Sequence, residues 1–138
     1  MITGEIKSQI DRVWDAFWSG GISNSLEVIE QLTYLLFIKR LDELHTRAEA
    51  RANRLGRPIE DGIFTPAQEN LRWSHFKNFD PKTMFRTIET EVFPFMKSMG
   101  ADGSAFALHM KEARFTLPPE KAGLLARVVD MIDQIPMD

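Results

Sequence analysis

The sequence contains no cysteine. That excludes a disulfide scaffold, a thiol nucleophile and a thiolate metal site. Apolar runs such as Leu35-Leu36-Phe37-Ile38 are far too short to span a bilayer. Histidine is scarce. His45, His75 and His109 lie in three different segments, no two at helical ligand spacing. Surface or capping roles are therefore simpler than a metal site. No glycine-rich phosphate loop, dinucleotide fingerprint or nucleophile elbow is present. Gly20-Gly21 and the Gly100/Gly103 pair read as helix stops and turns. Met1-Ile2-Thr3-Gly4-Glu5 lacks the basic head and apolar stretch of a secretory leader. A cytoplasmic location is the expectation. No stretch alternates cleanly between apolar and polar residues, so no substantial sheet is predicted.

What is present is helical periodicity in a chain of 138 residues, 43% hydrophobic and 27% charged. That size and composition suit one globular domain. Ile6, Ile10, Val13 and Phe17 share a helical face with Trp14 on its shoulder, and Gly20-Gly21 ends the helix. Asn24 with Glu27 three residues later resembles a capping box. A long helix is predicted from residue 25 or 26 to about 53. Its first half is apolar nearly all round: Val28, Ile29, Leu32, Leu35, Leu36, Phe37, Ile38, Leu41 and Leu44. This marks it as the buried central helix, and Leu36→Asp is expected to unfold the domain. Gly56 and Pro58 end it, and residues 56–65 read as a loop.

Thr65-Pro66-Ala67-Gln68 and Asp80-Pro81 are helix starts. Met84, Phe85, Ile88, Val92 and Phe93 form the next stripe, which Pro94 kinks or breaks. Phe106 and Met110 support a short helix. Phe115-Thr116-Leu117 before Pro118-Pro119 is expected to be extended. A last helix runs from about residue 119 to 134, with Leu125, Val128, Val129, Ile132 and Ile135 on one face. The fold class is all-α, a single domain over residues 1–138, with five to seven helices around the central one.

Carboxylate pairs occur at Asp42-Glu43, Glu60-Asp61 and Glu89/Glu91. Spacing alone builds no general acid and base from them, and solvated helix faces are the simpler reading. The seven methionines are gap-fillers. The aromatic cluster Trp73, Phe76 and Phe79 reads as core, although Arg72 and Lys77 flank it. Charge is more informative. Over residues 39–57, six basic groups (Lys39, Arg40, Arg47, Arg51, Arg54, Arg57) face three acidic ones (Asp42, Glu43, Glu49). The local balance is +3 in a chain of net −3, which leaves −6 for the rest. At about 100° per residue, Arg40, Arg47, Arg51 and Arg54 fall within an arc of roughly 60°. Two readings compete: a solvated helix end favoured by the helix dipole, or a binding row for phosphate or carboxylate.

Three stretches together resemble the N-terminal helical domain of the modification (M, HsdM) subunit of type I restriction–modification systems. They are IKSQIDRVWDAFWSGGISNSLEVIEQLTYLLFIKRLDELH from Ile6 to His45; LRWSHFK from Leu71 to Lys77 with EVFPF from Glu91 to Phe95; and Ser104-Ala105-Phe106 with Met110 to Phe115 and the helix from Leu124 to Ile135. The resemblance implies a part in a DNA adenine methyltransferase. Such a subunit moves a methyl group from S-adenosylmethionine to N6 of adenine. Its partners are DNA, a specificity subunit that reads the target, a second M subunit and a restriction subunit, with no membrane.

Catalysis in that family belongs to a separate domain carrying a cofactor motif and an Asn-Pro-Pro-aromatic motif. Here Leu117 precedes Pro118-Pro119 and no cofactor motif occurs. The resemblance therefore implies no catalytic, metal or cofactor residue in this chain, with S-adenosylmethionine bound elsewhere in the full-length subunit. Asp138 falls about where the family's catalytic domain begins, which leaves a piece of a longer subunit and a short gene product both open. The expected function is DNA binding and assembly, with Arg40, Arg47, Arg51, Arg54 and Arg57 as candidate contacts. The alternative is a free-standing helical adaptor for a protein partner.

Overall fold

The apolar stripes organise the chain into helices packed on one core. The computed structural model describes residues 4–22, 24–59, 62–98 and 112–136. Among them are six α-helices and no strand. They are α1 (Gly4–Ser19), α2 (Ser25–Leu55), α3 (Trp73–Phe76), α4 (Pro81–Thr87), α5 (Phe93–Ser98) and α6 (Ala122–Asp133). Short 3-10 helices cover Pro66–Leu71 and Pro119–Lys121. The predicted turn at Gly100/Gly103, the Phe106/Met110 helix, His109 and the Glu60-Asp61 pair lie outside the described residues.

The α1 stripe packs as its spacing predicts. Val13 and Phe17 are fully buried, and Ile6, Ile10 and Trp14 are half-buried against the core. Its partner is α6, whose Leu125, Val128, Val129 and Ile132 are all fully buried. Each such side chain is worth roughly 1.5–3 kcal/mol of burial. The two helices meet closely where α1 ends. A Cβ on Gly20 would stand 2.6 Å from Leu124 Cδ2, so a side chain there would have to push the Leu124 methyl groups aside. Gly21 then takes φ 94°, a left-handed conformation that side chains resist.

Asn24 caps α2, its Oδ1 accepting from the Glu27 amide at 3.2 Å. The capping-box reading is half right, because the Glu27 carboxylate turns instead to the Thr116 hydroxyl at 2.8 Å. Buried Gln31 completes that link. Its Nε2 donates to Arg114 O at 2.8 Å and its Oε1 accepts from Thr116 N at 3.4 Å. The extended 113–118 segment thus finds partners for its backbone without a neighbouring strand. An aromatic cluster lies close by. Phe115 sits 5.1 Å from both Phe85 and Phe93, and Tyr34 meets Phe93 edge-on at 5.8 Å.

Pro94 was expected to kink or break its helix. Instead α4 and α5 join through a π-turn at Ile88–Val92. The Phe93 amide reaches back to Ile88 O, and this wider turn accommodates a residue with no amide hydrogen. The apolar stripe then continues in phase, with Ile88, Val92, Phe93 and Met96 buried.

Lys39 is the least expected member of the interior. It is buried, and its ammonium donates to the carbonyls of Ile132 (3.0 Å), Asp133 (3.2 Å) and Ile135. It satisfies the C-terminal carbonyls of α6 and lies at the negative end of that helix's dipole. Burial pulls its pKa down, and the nearby Asp133 and Glu43 charges only partly offset this. Lys39→Met is expected to lower stability by about 1–3 kcal/mol in urea unfolding, because it orphans buried acceptors. The pH dependence has a definite sign. The unfolded chain holds the Lys39 proton up to the ordinary value of 10.5, above the folded-state value. Between those values the stability of wild type relative to Lys39→Met rises with pH.

Candidate nucleic-acid interface

α2 has two faces, and its polar residues sort between them. The inner face carries Val28, Leu32, Leu35, Ile38 and Leu41, followed by Asp42, His45 and Ala52, all buried. The outer face is not buried all round, as its composition had suggested. Leu26, Ile29, Leu44 and Leu55 are exposed, and Leu36 and Phe37 only half-buried. The Glu30, Thr33 and Arg40 positions separate these apolar residues along the helix.

The five candidate arginines sit on or next to that outer face. Arg40 is half-exposed, its guanidinium 3.5 Å from Glu43. Arg47, Arg51 and Arg54 are exposed. At 1.5 Å rise per residue they occupy about 10 Å of helix. Gly56 closes the helix at φ 65°. The Arg57 amide donates to Ala52 O at 3.0 Å, so Arg57 belongs to the cap and continues the basic run past the helix end. The sixth basic residue, Lys39, is withdrawn from the row, being buried against α6.

The acidic residues of the segment are directed elsewhere. Asp42, read from sequence as part of a solvated pair, is buried and paired with Arg72. Its second oxygen accepts from the Ser74 amide at 3.0 Å, at the start of α3. Arg72 also reaches Thr46 Oγ1 at 2.8 Å, Glu49 at 2.9 Å and Glu69 at 3.4 Å. One guanidinium thus clamps three successive turns of α2 on the side away from the arginine row. Burial works against the Arg72 charge, but the hydrogen bond and charge of Asp42, then Glu49, outweigh it and raise its pKa. Asp42 and Glu49 are held by Arg72 and Glu43 lies beside Arg40, while Arg51 and Arg54 are exposed toward the C-terminal end of the outer face.

His45, Glu49 and Glu69 offer ligand atoms within 4.8 Å of one another, a spacing that could suit a metal ion. Their existing bonds give the cluster another purpose. His45 Nδ1 accepts from the Ile63 and Phe64 amides at 3.0 and 3.2 Å, which fixes the proton on Nε2. The Arg72 guanidinium already stands between the two carboxylates as their cation. His45 therefore holds the 62–64 loop from inside the core. His75 is exposed and pairs with Glu69 at 3.0 Å.

The aromatic cluster is core, as read. Leu71, Trp73 and Phe76 are buried and Phe79 half-buried. Trp73 Nε1 donates to Asp133 at 2.9 Å, and Lys77 pairs with the same carboxylate at 3.2 Å. Neither Arg72 nor Lys77 frames a base-stacking platform.

One family model, described as the HsdM N-terminal domain, matches residues 6–132. The chain belongs to the HsdM N-terminal domain family. No curated protein and no solved structure matches it. An HsdM N-terminal domain is the N-terminal region of a type I restriction–modification methyltransferase subunit, which works in a complex with other subunits. Among the described residues no helix is long and apolar enough to cross a membrane.

Proposed function

We propose that this HsdM N-terminal domain is a DNA-binding and assembly domain of an N6-adenine DNA methyltransferase. In this reading it contacts DNA phosphates through Arg40, Arg47, Arg51, Arg54 and Arg57. It stands beside the specificity subunit, a second M subunit and the restriction subunit. Methyl transfer and S-adenosylmethionine belong to the catalytic part of the subunit, and this domain contributes no catalytic residue. The supporting observation is the division of charge across α2. The arginines occupy its outer side, while Asp42 and Glu49 are held on the other side by Arg72. Contacts of this kind position a protein on the duplex without reading its sequence.

The test replaces Arg47, Arg51 and Arg54 with glutamine, which changes helix propensity little. Fluorescence anisotropy with a labelled duplex at low salt is expected to show weak binding by the wild-type chain. Non-specific binding lies at about 10⁻⁴–10⁻⁶ M at physiological salt, and the net charge of −3 places this chain toward the weak end. The triple variant is expected to bind several-fold more weakly with an unchanged far-UV circular dichroism spectrum. Equal affinity would assign the row to a solvated face.

A further inference from the structure

α2 ends in a bare tip. Residues 53–59 are all exposed, whereas Ala52 just before them is buried. Gly56 turns the chain at φ 65°, and its amide and that of Arg57 close the helix on the last carbonyls. The chain leaves the helix as Gly56-Arg57-Pro58. Glycine adds no side-chain width, and Pro58 biases Arg57 toward an extended backbone. One guanidinium therefore belongs to a narrow strap. Aliphatic side chains flank it, with Leu55 47% exposed and Ile59 45%.

Width decides what such a tip can enter. An α-helix with its side chains is about 10–12 Å across, and the minor groove of B-DNA is about 6 Å wide. α2 is too thick for that groove, and the strap is not. The major groove admits a helix, but the inner face of α2 is occupied by the core, so only one side of it is on offer. Minor grooves of A·T-rich DNA are narrow, carry an enhanced negative potential and draw in arginine. In a G·C pair the N2 amino group of guanine projects into the same groove. We propose that Arg57 reaches past the phosphates into the minor groove of A·T-rich duplex DNA. Leu55 and Ile59 then lie against the sugars of the groove walls, while Arg51 and Arg54 hold flanking phosphates. This placement rests on the DNA reading above and adds to it a base preference, which phosphate contacts alone do not give.

Three labelled duplexes of equal length test it: one A·T-rich, one G·C-rich and one inosine·cytosine-rich. Inosine lacks the N2 amino group, so its pair with cytosine resembles A·T in the minor groove and G·C in the major groove. By anisotropy at low salt, the 138-residue chain is expected to bind the A·T and inosine·cytosine duplexes alike, at least about threefold tighter than the G·C duplex. Arg57→Gln is expected to lose that preference and keep most of the G·C affinity, with an unchanged circular dichroism spectrum. Replacing Arg51 and Arg54 with glutamine is expected to weaken binding to all three duplexes and keep their ranking. Equal binding of the wild-type chain to all three duplexes overturns the proposal and leaves the phosphate row standing. So does an inosine·cytosine duplex that ranks with G·C, since that is major-groove reading. A preference that survives Arg57→Gln overturns it as well. Failure to bind any duplex at low salt overturns the DNA reading together with it.

Discussion

Leu35→Asp is expected to leave the domain unfolded, with its helical circular dichroism lost at 25 °C. Leu35 is 1% exposed on the inner face of α2. An unpaired carboxylate there costs several kcal/mol, and the lost leucine burial adds about 2 kcal/mol. Together these match most of the roughly 5–15 kcal/mol that holds a domain folded. The unfolding that the composition of α2 predicts for Leu36→Asp is overturned by the packing: Leu36 is half-buried on the outer face, so the new carboxylate can reach water and the variant is expected to keep a folded spectrum. Equal collapse of both variants would show that the outer face is covered in the monomer, contrary to the packing described.

The second large effect is expected at Asp42. Asp42→Ala removes the carboxylate that neutralises buried Arg72 and accepts from the Ser74 amide. Breaking a buried pair from one side costs about 3–5 kcal/mol, since the remaining charge is left without its partner. Glu49 and Glu69 still face Arg72 but are themselves partly exposed, which places the loss nearer the lower end of that range. Urea unfolding measures it as a lowered midpoint at constant slope. Asp42→Asn is expected to be milder, because its amide oxygen still accepts from Ser74. A loss below 1 kcal/mol for Asp42→Ala would show that Glu49 and Glu69 satisfy Arg72 by themselves.

Most of the architecture was legible because it rests on local chemistry. Asn24, Thr65 and Asp80 mark helix starts, and Gln68 Oε1 accepts from the Thr65 amide at 2.9 Å as its spacing predicts. Asp80 receives the Thr83 amide at 3.1 Å, and these hydrogen bonds hold its carboxyl below the usual range. Gly56 and the stripes on α1 and α6 were equally plain. What periodicity could not show was which face of an almost uniformly apolar helix meets the core. The polar positions held that information. Lys39, Asp42 and His45 interrupt the inner stripe, and each is buried because a backbone or charged partner from a distant segment meets it. Counting Lys39 and Asp42 as surface charge followed from reading charge without partners. Gln31 and Arg72 carry the same lesson, since their partners lie more than 20 residues away along the chain. The arginine row was visible as a row. The withdrawal of Asp42 and Glu49 to the other side of α2 depends on Arg72, which no local pattern ties to that helix.

The most direct measurement is the dependence of DNA affinity on salt. Each phosphate contact contributes about −0.9 to the slope of log K against log salt concentration for duplex DNA. If the outer face of α2 holds phosphates, replacing Arg47, Arg51 and Arg54 with glutamine reduces the steepness by up to about 2.7. A triple variant whose slope and affinity equal those of wild type would contradict that assignment and leave the domain to act through protein contacts alone.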